Sequence, residues 1–290
     1  MDRSLAASVE VALGASIVGA QRVHGGDVAV ASRLDLSDGR RVFLKTHHSP
    51  PLNFFTTEAN GLAWLAAAGA VDVPEVLAVS DGRPAFLALS WVTEGVAEPG
   101  TDTEFGRRLA TLHRAGAPNF GREDRRTTGS RALPNEPTPT WAEFYAECRL
   151  LPLARLAHDA AALDPSTIHD LVTLAGRLDR LSGPDEPAAR LHGDLWAGNR
   201  VIGDGGRSWL VDPAAHGGHR EFDLAMMRLF GGFGRRCFDA YGDEFPLADG
   251  WADRVALHQI APLVVHAIKF GGGYVAAATT AISRYARDGR

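Results

Sequence analysis

His192-Gly193-Asp194-Leu195-Trp196-Ala197-Gly198-Asn199, followed after a short hairpin by Val211-Asp212-Pro213, is the stretch on which the reading of this chain turns. Two aspartates and an asparagine gather on one loop pair, with Asp212 eighteen residues beyond Asp194. Transfer of a phosphoryl group needs a carboxylate to orient the attacking hydroxyl and take its proton, and oxygen ligands to hold Mg2+ against a triphosphate. Asp194 suits the first role, Asn199 and Asp212 the second. Taken singly, each is equally a turn residue capping backbone groups. Spaced as H-x-D-x4-N with a strand-end Asp downstream, they point jointly to phosphoryl transfer.

Upstream of that loop, residues 21–46 alternate as strands do, with turn chemistry at Gly25-Gly26-Asp27 and Ser37-Asp38-Gly39. This predicts a three-stranded meander ending at Lys45. The chain has 28 Arg but only two Lys, Lys45 and Lys269, so a lysine retained at a strand end after a Gly-rich turn is a candidate for nucleotide phosphates. Residues 53–68 carry Phe54, Phe55, Leu62 and Leu65 at helical spacing, with Gly69 as the stop. Glu58 stands on that apolar face, where an unpaired carboxylate is costly. It is either the partner of Lys45 or an edge residue reaching solvent. Residues 76–79 and 85–92 read as two more strands around Asp81-Gly82, which closes a five-stranded antiparallel sheet with one main helix near residue 92. Gly25-Gly26 is either a hairpin turn or a flap whose backbone N–H groups cover phosphates.

After residue 100 the pattern turns helical, at 103–114, 141–158, 165–181 and 222–285, with a polar Gly/Pro/Arg stretch at 118–139. Short strand-like pieces at 188–191, 199–202 and 208–211 bracket Asp194 and Asp212. The fold class is therefore α+β in two lobes, residues 1–92 and 93–290. His192 opens the loop and reads as its structural anchor, bonding the loop and the Asp212 turn. Asp223 either braces the same loop or is a helix N-terminal carboxylate.

Composition narrows the partners. Over 290 residues, 45% are hydrophobic and 22% charged, ordinary for a globular chain. Acidic residues outnumber basic ones by 35 to 30 without a basic block, which argues against nucleic acid. The apolar run at 5–20 is broken by Glu10 and falls short of the roughly 18–20 residues of a membrane span, so no membrane partner is expected and the cytoplasm is the expected location. Cys148 and Cys237 are too few for a disulfide framework and read as buried thiols. His47-His48 and the His216/His219 pair read as surface loops, not as a transition-metal site.

The H-x-D-x4-N loop with its strand-bound Asp resembles the catalytic and metal-binding loops of the protein-kinase-like superfamily. Over residues 23–285 the chain resembles the fructosamine-3-kinase (ketosamine kinase) family. The resemblance is carried by Phe43-Leu44-Lys45, Glu58 with Gly61-Leu62, Leu112-His113-Arg114, Trp141 with Phe144, the 192–199 loop, Glu221 with Asp223-Leu224-Ala225-Met226, Leu229-Phe230-Gly231-Gly232-Phe233, and Phe270-Gly271-Gly272 with Tyr274. It implies a bilobal protein-kinase-like fold and use of ATP and Mg2+. It further implies phosphorylation of the 3-hydroxyl of ketosamines, a deglycation reaction. In such an architecture Gly25, Gly26, Lys45, Glu58 and the Leu89-Ser90-Trp91 connection hold ATP, the last through its backbone. Ser90 departs from the acidic residue common there. Trp196, two residues after the base, is the candidate platform for the acceptor. Because Lys45, Asp194, Asn199 and Asp212 are equally those of kinases of aminoglycosides and other amino alcohols, that reaction is the alternative.

Overall fold

Alternation along Phe43-Leu44-Lys45 determines which way each of these side chains faces, and the computed structural model shows the consequence. It describes residues 2–23, 29–124, 126–127 and 131–286, so the Gly25-Gly26 turn lies outside the described residues. The chain opens with α1 (Arg3–Leu13), β1 (Ile17–Val23), β2 (Val30–Leu36), β3 (Arg41–His47), α2 (Phe54–Ala66), β4 (Val76–Ser80) and β5 (Ala85–Ser90). The five strands form one sheet in the order β1-β2-β3-β5-β4, every neighbouring pair antiparallel. The five-stranded antiparallel sheet read from the sequence is therefore present. Its first strand starts at Ile17 and not at residue 21, and α1 was not anticipated. Leu5, Val9 and Leu13 recur at helical spacing and pack on the sheet.

Both faces of this sheet are covered. Val42, Leu44, Phe86 and Ala88 meet Val9 and Leu13 of α1, while the intervening Phe43, Ala85, Leu87 and Leu89 meet Phe55, Ala59 and Leu62 of α2. That is why β5 is apolar almost without a break. Lys45 continues the Phe43 alternation, opposite Leu87 in the register, and so faces α2. Asp81, in the β4–β5 turn, caps α2: its carboxylate accepts from the N–H of Phe55 at 2.8 Å and of Thr56 at 3.1 Å. The cap ties the helix that carries Glu58 to the sheet that carries Lys45.

There follow α3 (Thr101–Arg114), α4 (Trp141–Tyr145), a π-turn at Ala146–Leu150, α5 (Leu151–Asp159), α6 (Pro165–Ala175), α7 (Leu178–Leu181), β6 (Ala189–Leu191), β7 (Arg200–Ile202), β8 (Ser208–Leu210), β9 (His216–Gly218), α8 (Glu221–Phe230), α9 (Arg235–Glu244), α10 (Trp251–Phe270) and α11 (Gly273–Ala286). The chain divides into two compact units, residues 1–101 with 198–214 and residues 102–197 with 215–290. Backbone bonding explains why the β7–β8 hairpin groups with the first unit, although it lies beyond residue 92. The N–H of Leu210 donates to Asp72 O at 2.9 Å, and that of Gly95 to Ile202 O at 2.8 Å.

The second unit is mostly helical around Trp141, Phe144, Tyr145, Leu257, Ile260 and Ile282. Tyr145 is buried, its Oη 2.9 Å from Leu257 O and 3.2 Å from His258 O. His258 O is the carbonyl that Pro262, having no N–H, leaves without a helical donor. Buried Arg149 donates to Pro134 O at 2.7 Å and Asn135 Oδ1 at 2.8 Å, fastening the polar stretch to the helical core. Both cysteines are buried and free. Among the described residues no helix is long and apolar enough to cross a membrane.

Candidate active site

In the first unit, Lys45 is only 5% exposed, with Nζ 2.7 Å from Glu58 Oε1 and also bonded to Asp212. Burial would push Lys45 down, and the charges of Glu58 and Asp212 outweigh it, holding the ammonium above its ordinary range. Burial, reinforced by the Asp212 charge, wins over Lys45 at Glu58 and holds that carboxyl above the usual carboxylate range. Of the two readings of Glu58, the ion pair is the one observed. The β7–β8 pairing brings the two other expected ligands level: Val211 N–H donates to Asn199 O at 3.0 Å, one residue before Asp212. Asp212 has φ 53°, a left-handed conformation that Asp tolerates better than most residues. Asn199 is buried. The Asp212 carboxylate and the Asn199 amide are hard oxygen donors. This chemistry fits Mg2+.

The connection after β5 offers less than its sequence position suggested. Ser90 N–H donates to Glu75 O at 2.9 Å and Trp91 N–H to Arg41 O at 3.3 Å. The Ser90 hydroxyl accepts from Glu75 N–H at 2.9 Å. Leu89 is buried in the sheet. The next N–H, that of Val92, has no partner among the described residues.

In the second unit, Asp223 in the first turn of α8 is fully buried and accepts from the N–H of His192 at 2.8 Å and of Gly193 at 2.9 Å. It thus braces the loop that carries Asp194, the first of its two sequence readings. Asp194 N–H donates to His192 Nδ1 at 3.2 Å, and Gly193 supplies a left-handed turn, φ 79°, between them. Burial would raise Asp223, but hydrogen bonding and charge from His113, with His192 and the Gly193 N–H, hold its carboxyl below the usual range. His113 Nε2 lies 3.3 Å from Asp223, and its Nδ1 2.8 Å from Tyr241 Oη. Sequence reasoning assigned no role to His113 or Tyr241: they stand on α3 and α9, more than a hundred residues apart. Trp196 is 39% exposed, its ring edge-on to Phe230 at 6.0 Å.

The His216/His219 pair is not on a surface loop: both rings are buried. His219 stacks on His258 at 5.4 Å, and the ligand atoms of His219, Glu221 and His258 lie within 4.8 Å of one another. Glu221 is already forked by Arg254 at 2.6 and 2.9 Å, and Glu186 by Arg220 at 2.7 Å. These are paired charges beneath α8.

A family model described as fructosamine kinase matches residues 1–288. The chain belongs to the fructosamine kinase family. A probable ketoamine kinase of Enterococcus faecium is 34% identical over 254 residues, covering 87% of this chain and 90% of that one. The crystal structure of a fructosamine-3-kinase candidate from Thermobifida fusca superposes with a TM-score of 0.89 at 39% identity, covering 99% of both chains. An aminoglycoside phosphotransferase shares the protein-kinase-like fold at 13% identity, with a TM-score of 0.63 over 98% of this chain and 99% of its own. Membership of the fructosamine kinase family makes the chain an ATP-dependent kinase.

Proposed function

We propose that this kinase uses ATP and Mg2+ to phosphorylate the 3-hydroxyl of ketosamines, free or protein-bound, as a cytoplasmic deglycation enzyme. The observation that carries the reading is the buried Lys45 ammonium shared by Glu58 and Asp212, a device for phosphate charge that a merely structural lysine does not need. Residues 1–92 serve the nucleotide and residues 93–290 the acceptor, with the metal ligands on the hairpin that groups with the first unit. Lys45, oriented by Glu58, neutralises phosphate oxygens. Adenine meets the backbone of Leu89, Ser90 and Trp91, where the Ser90 and Trp91 N–H groups are already spent on Glu75 and Arg41 and the Val92 N–H is the donor that remains. Asn199 and Asp212 would hold Mg2+, which would supply positive charge to neutralise the phosphate oxygens.

Asp194 accepts the proton of the attacking hydroxyl, with its loop fixed by His192 and by Asp223. Trp196 presents an indole face to the sugar carbons. The test is a phosphorylation assay over fructosamines, ribulosamines, erythrulosamines and aminoglycosides with ATP and Mg2+. Ketosamine turnover is the expected result. Turnover of aminoglycosides and of no ketosamine would establish the alternative.

A further inference from the structure

The aromatic surface that begins at Trp196 does not end there. Phe230 lies 6.0 Å from Trp196 and 4.9 Å from His266, and His266 lies 5.5 Å from Phe270 and 5.0 Å from Tyr274. All five rings belong to the second unit. They form a row from the Asp194 loop to the junction of α10 and α11, with Gly232 packed so closely on Ala197 that a Cβ there would lie 2.2 Å from its methyl. Rings that merely fill a core are buried, whereas here Trp196 is 39% and Phe270 54% exposed. The three rings between them, Phe230, His266 and Tyr274, are half-buried, so the strip is open at both ends and partly accessible along its length, as a binding surface requires.

Two polar features qualify the strip. His266 Nδ1 lies 2.8 Å from Pro262 O. A carbonyl only accepts, so Nδ1 carries the hydrogen and Nε2 of the neutral ring is an acceptor. Nε2 makes no hydrogen bond among the described residues. At the outer end Lys269 Nζ stands 4.8 Å over the Phe270 ring. The row therefore offers π-faces and one acceptor near the Asp194 loop, and a cation at its far end.

We propose that Trp196, Phe230, His266, Phe270 and Tyr274 form the subsite for the amine component of the acceptor, and that it selects ketosamines whose amine carries an apolar or aromatic body. This rests on the reading of Asp194 as base and Trp196 as acceptor platform. The ammonium that joins sugar to amine is attracted by the ring faces and donates to His266 Nε2. The body of the amine then lies over Phe270 and Tyr274.

The experiment compares the fructose ketosamines of methylamine and of 2-phenylethylamine on the wild type, Phe270→Ala and His266→Phe. Both kcat/KM and equilibrium Kd, by titration calorimetry, are measured. Phe270 is more than half exposed, so its truncation removes little packing. The wild type should favour the phenylethylamine compound about tenfold in both constants, the worth of covering part of one ring. Phe270→Ala should bring that ratio below about twofold. His266→Phe, which keeps a ring and removes the acceptor, should weaken binding of both compounds several-fold while preserving the ratio. A wild-type ratio near one, or a ratio that Phe270→Ala leaves standing, overturns the subsite. If the wild type phosphorylates neither compound, the proposed reaction fails, and the Kd ratio alone still decides the subsite.

Discussion

Asp194 owes its position to the backbone of its own loop: the N–H groups of His192 and Gly193 are held by Asp223, and its own N–H by the His192 ring. A carboxylate fixed this way loses proton acceptance when made an amide but loses none of these backbone bonds. Asp194→Asn should therefore keep ATP affinity and thermal midpoint near those of the wild type while kcat falls by ~10²–10⁴, the range for a positioned general base. Near-normal turnover in single-turnover assays would remove Asp194 from the chemistry. Asp212 is the opposite case, because its carboxylate is bonded to Lys45 and its left-handed backbone is already strained. Asp212→Ala removes a hard oxygen ligand. Its signature should be a raised apparent Kd for Mg2+ in the presence of nucleotide, and metal-independent turnover by the wild type would contradict the assignment.

Strand β3 and helix α2 act as one element pair, since alternation turns Lys45 toward the helix and helical spacing turns Glu58 toward the sheet. Lys45→Ala should lower kcat/KM for ATP, and the loss should be smaller in a Glu58→Ala background, because the orienting partner is then already gone. Strictly additive effects in that double-mutant cycle would mean the pair does not work as a unit. The same elements show what the sequence could and could not tell. Lys45, Glu58, Asp194, Asn199 and Asp212 were legible because each sits at a fixed offset within a local period or motif. The α1 helix is harder to see, because the Leu5, Val9 and Leu13 period is embedded in a longer apolar run that extends to Ala20 and masks it. His113 and Tyr241 escaped for another reason: their contact joins α3 to α9, and no local spacing encodes a pairing across more than a hundred residues. His216 and His219 read as surface in the sequence because turn-rich flanks resemble an exposed loop, while the aromatic residues that bury them, Phe144 and Trp141, come from α4.

At the scale of the whole molecule, the buried polar layer beneath α8 is where acid should act first on the fold. His219 caps α8 through Nδ1, which accepts the Glu221 N–H at 3.3 Å. Its surroundings are Glu186, 4.0 Å away and forked by Arg220, and Glu221, forked by Arg254, with His258 stacked on the ring. Burial, then the neighbouring His258, pushes the imidazole down from 6.5 to about 4. A proton on Nδ1 would also replace the acceptor with a second donor facing an N–H. The folded state thus binds this proton less readily than the unfolded chain. The stability tied to neutral His219 is complete above pH 6.5 and is lost as pH falls toward 4, a total of up to about 3 kcal/mol at 1.36 kcal/mol per unit. Glu221 is held down to about 2 by His258 and Arg254 against its burial, so its own contribution fades only in stronger acid. Urea unfolding of the wild type between pH 7.5 and 4.5 should show this loss. His219→Gln keeps a side chain able to accept at the helix start but does not titrate, and it should flatten the profile over the same interval whatever its absolute stability. Parallel profiles for the two proteins would place the acid-sensitive group elsewhere.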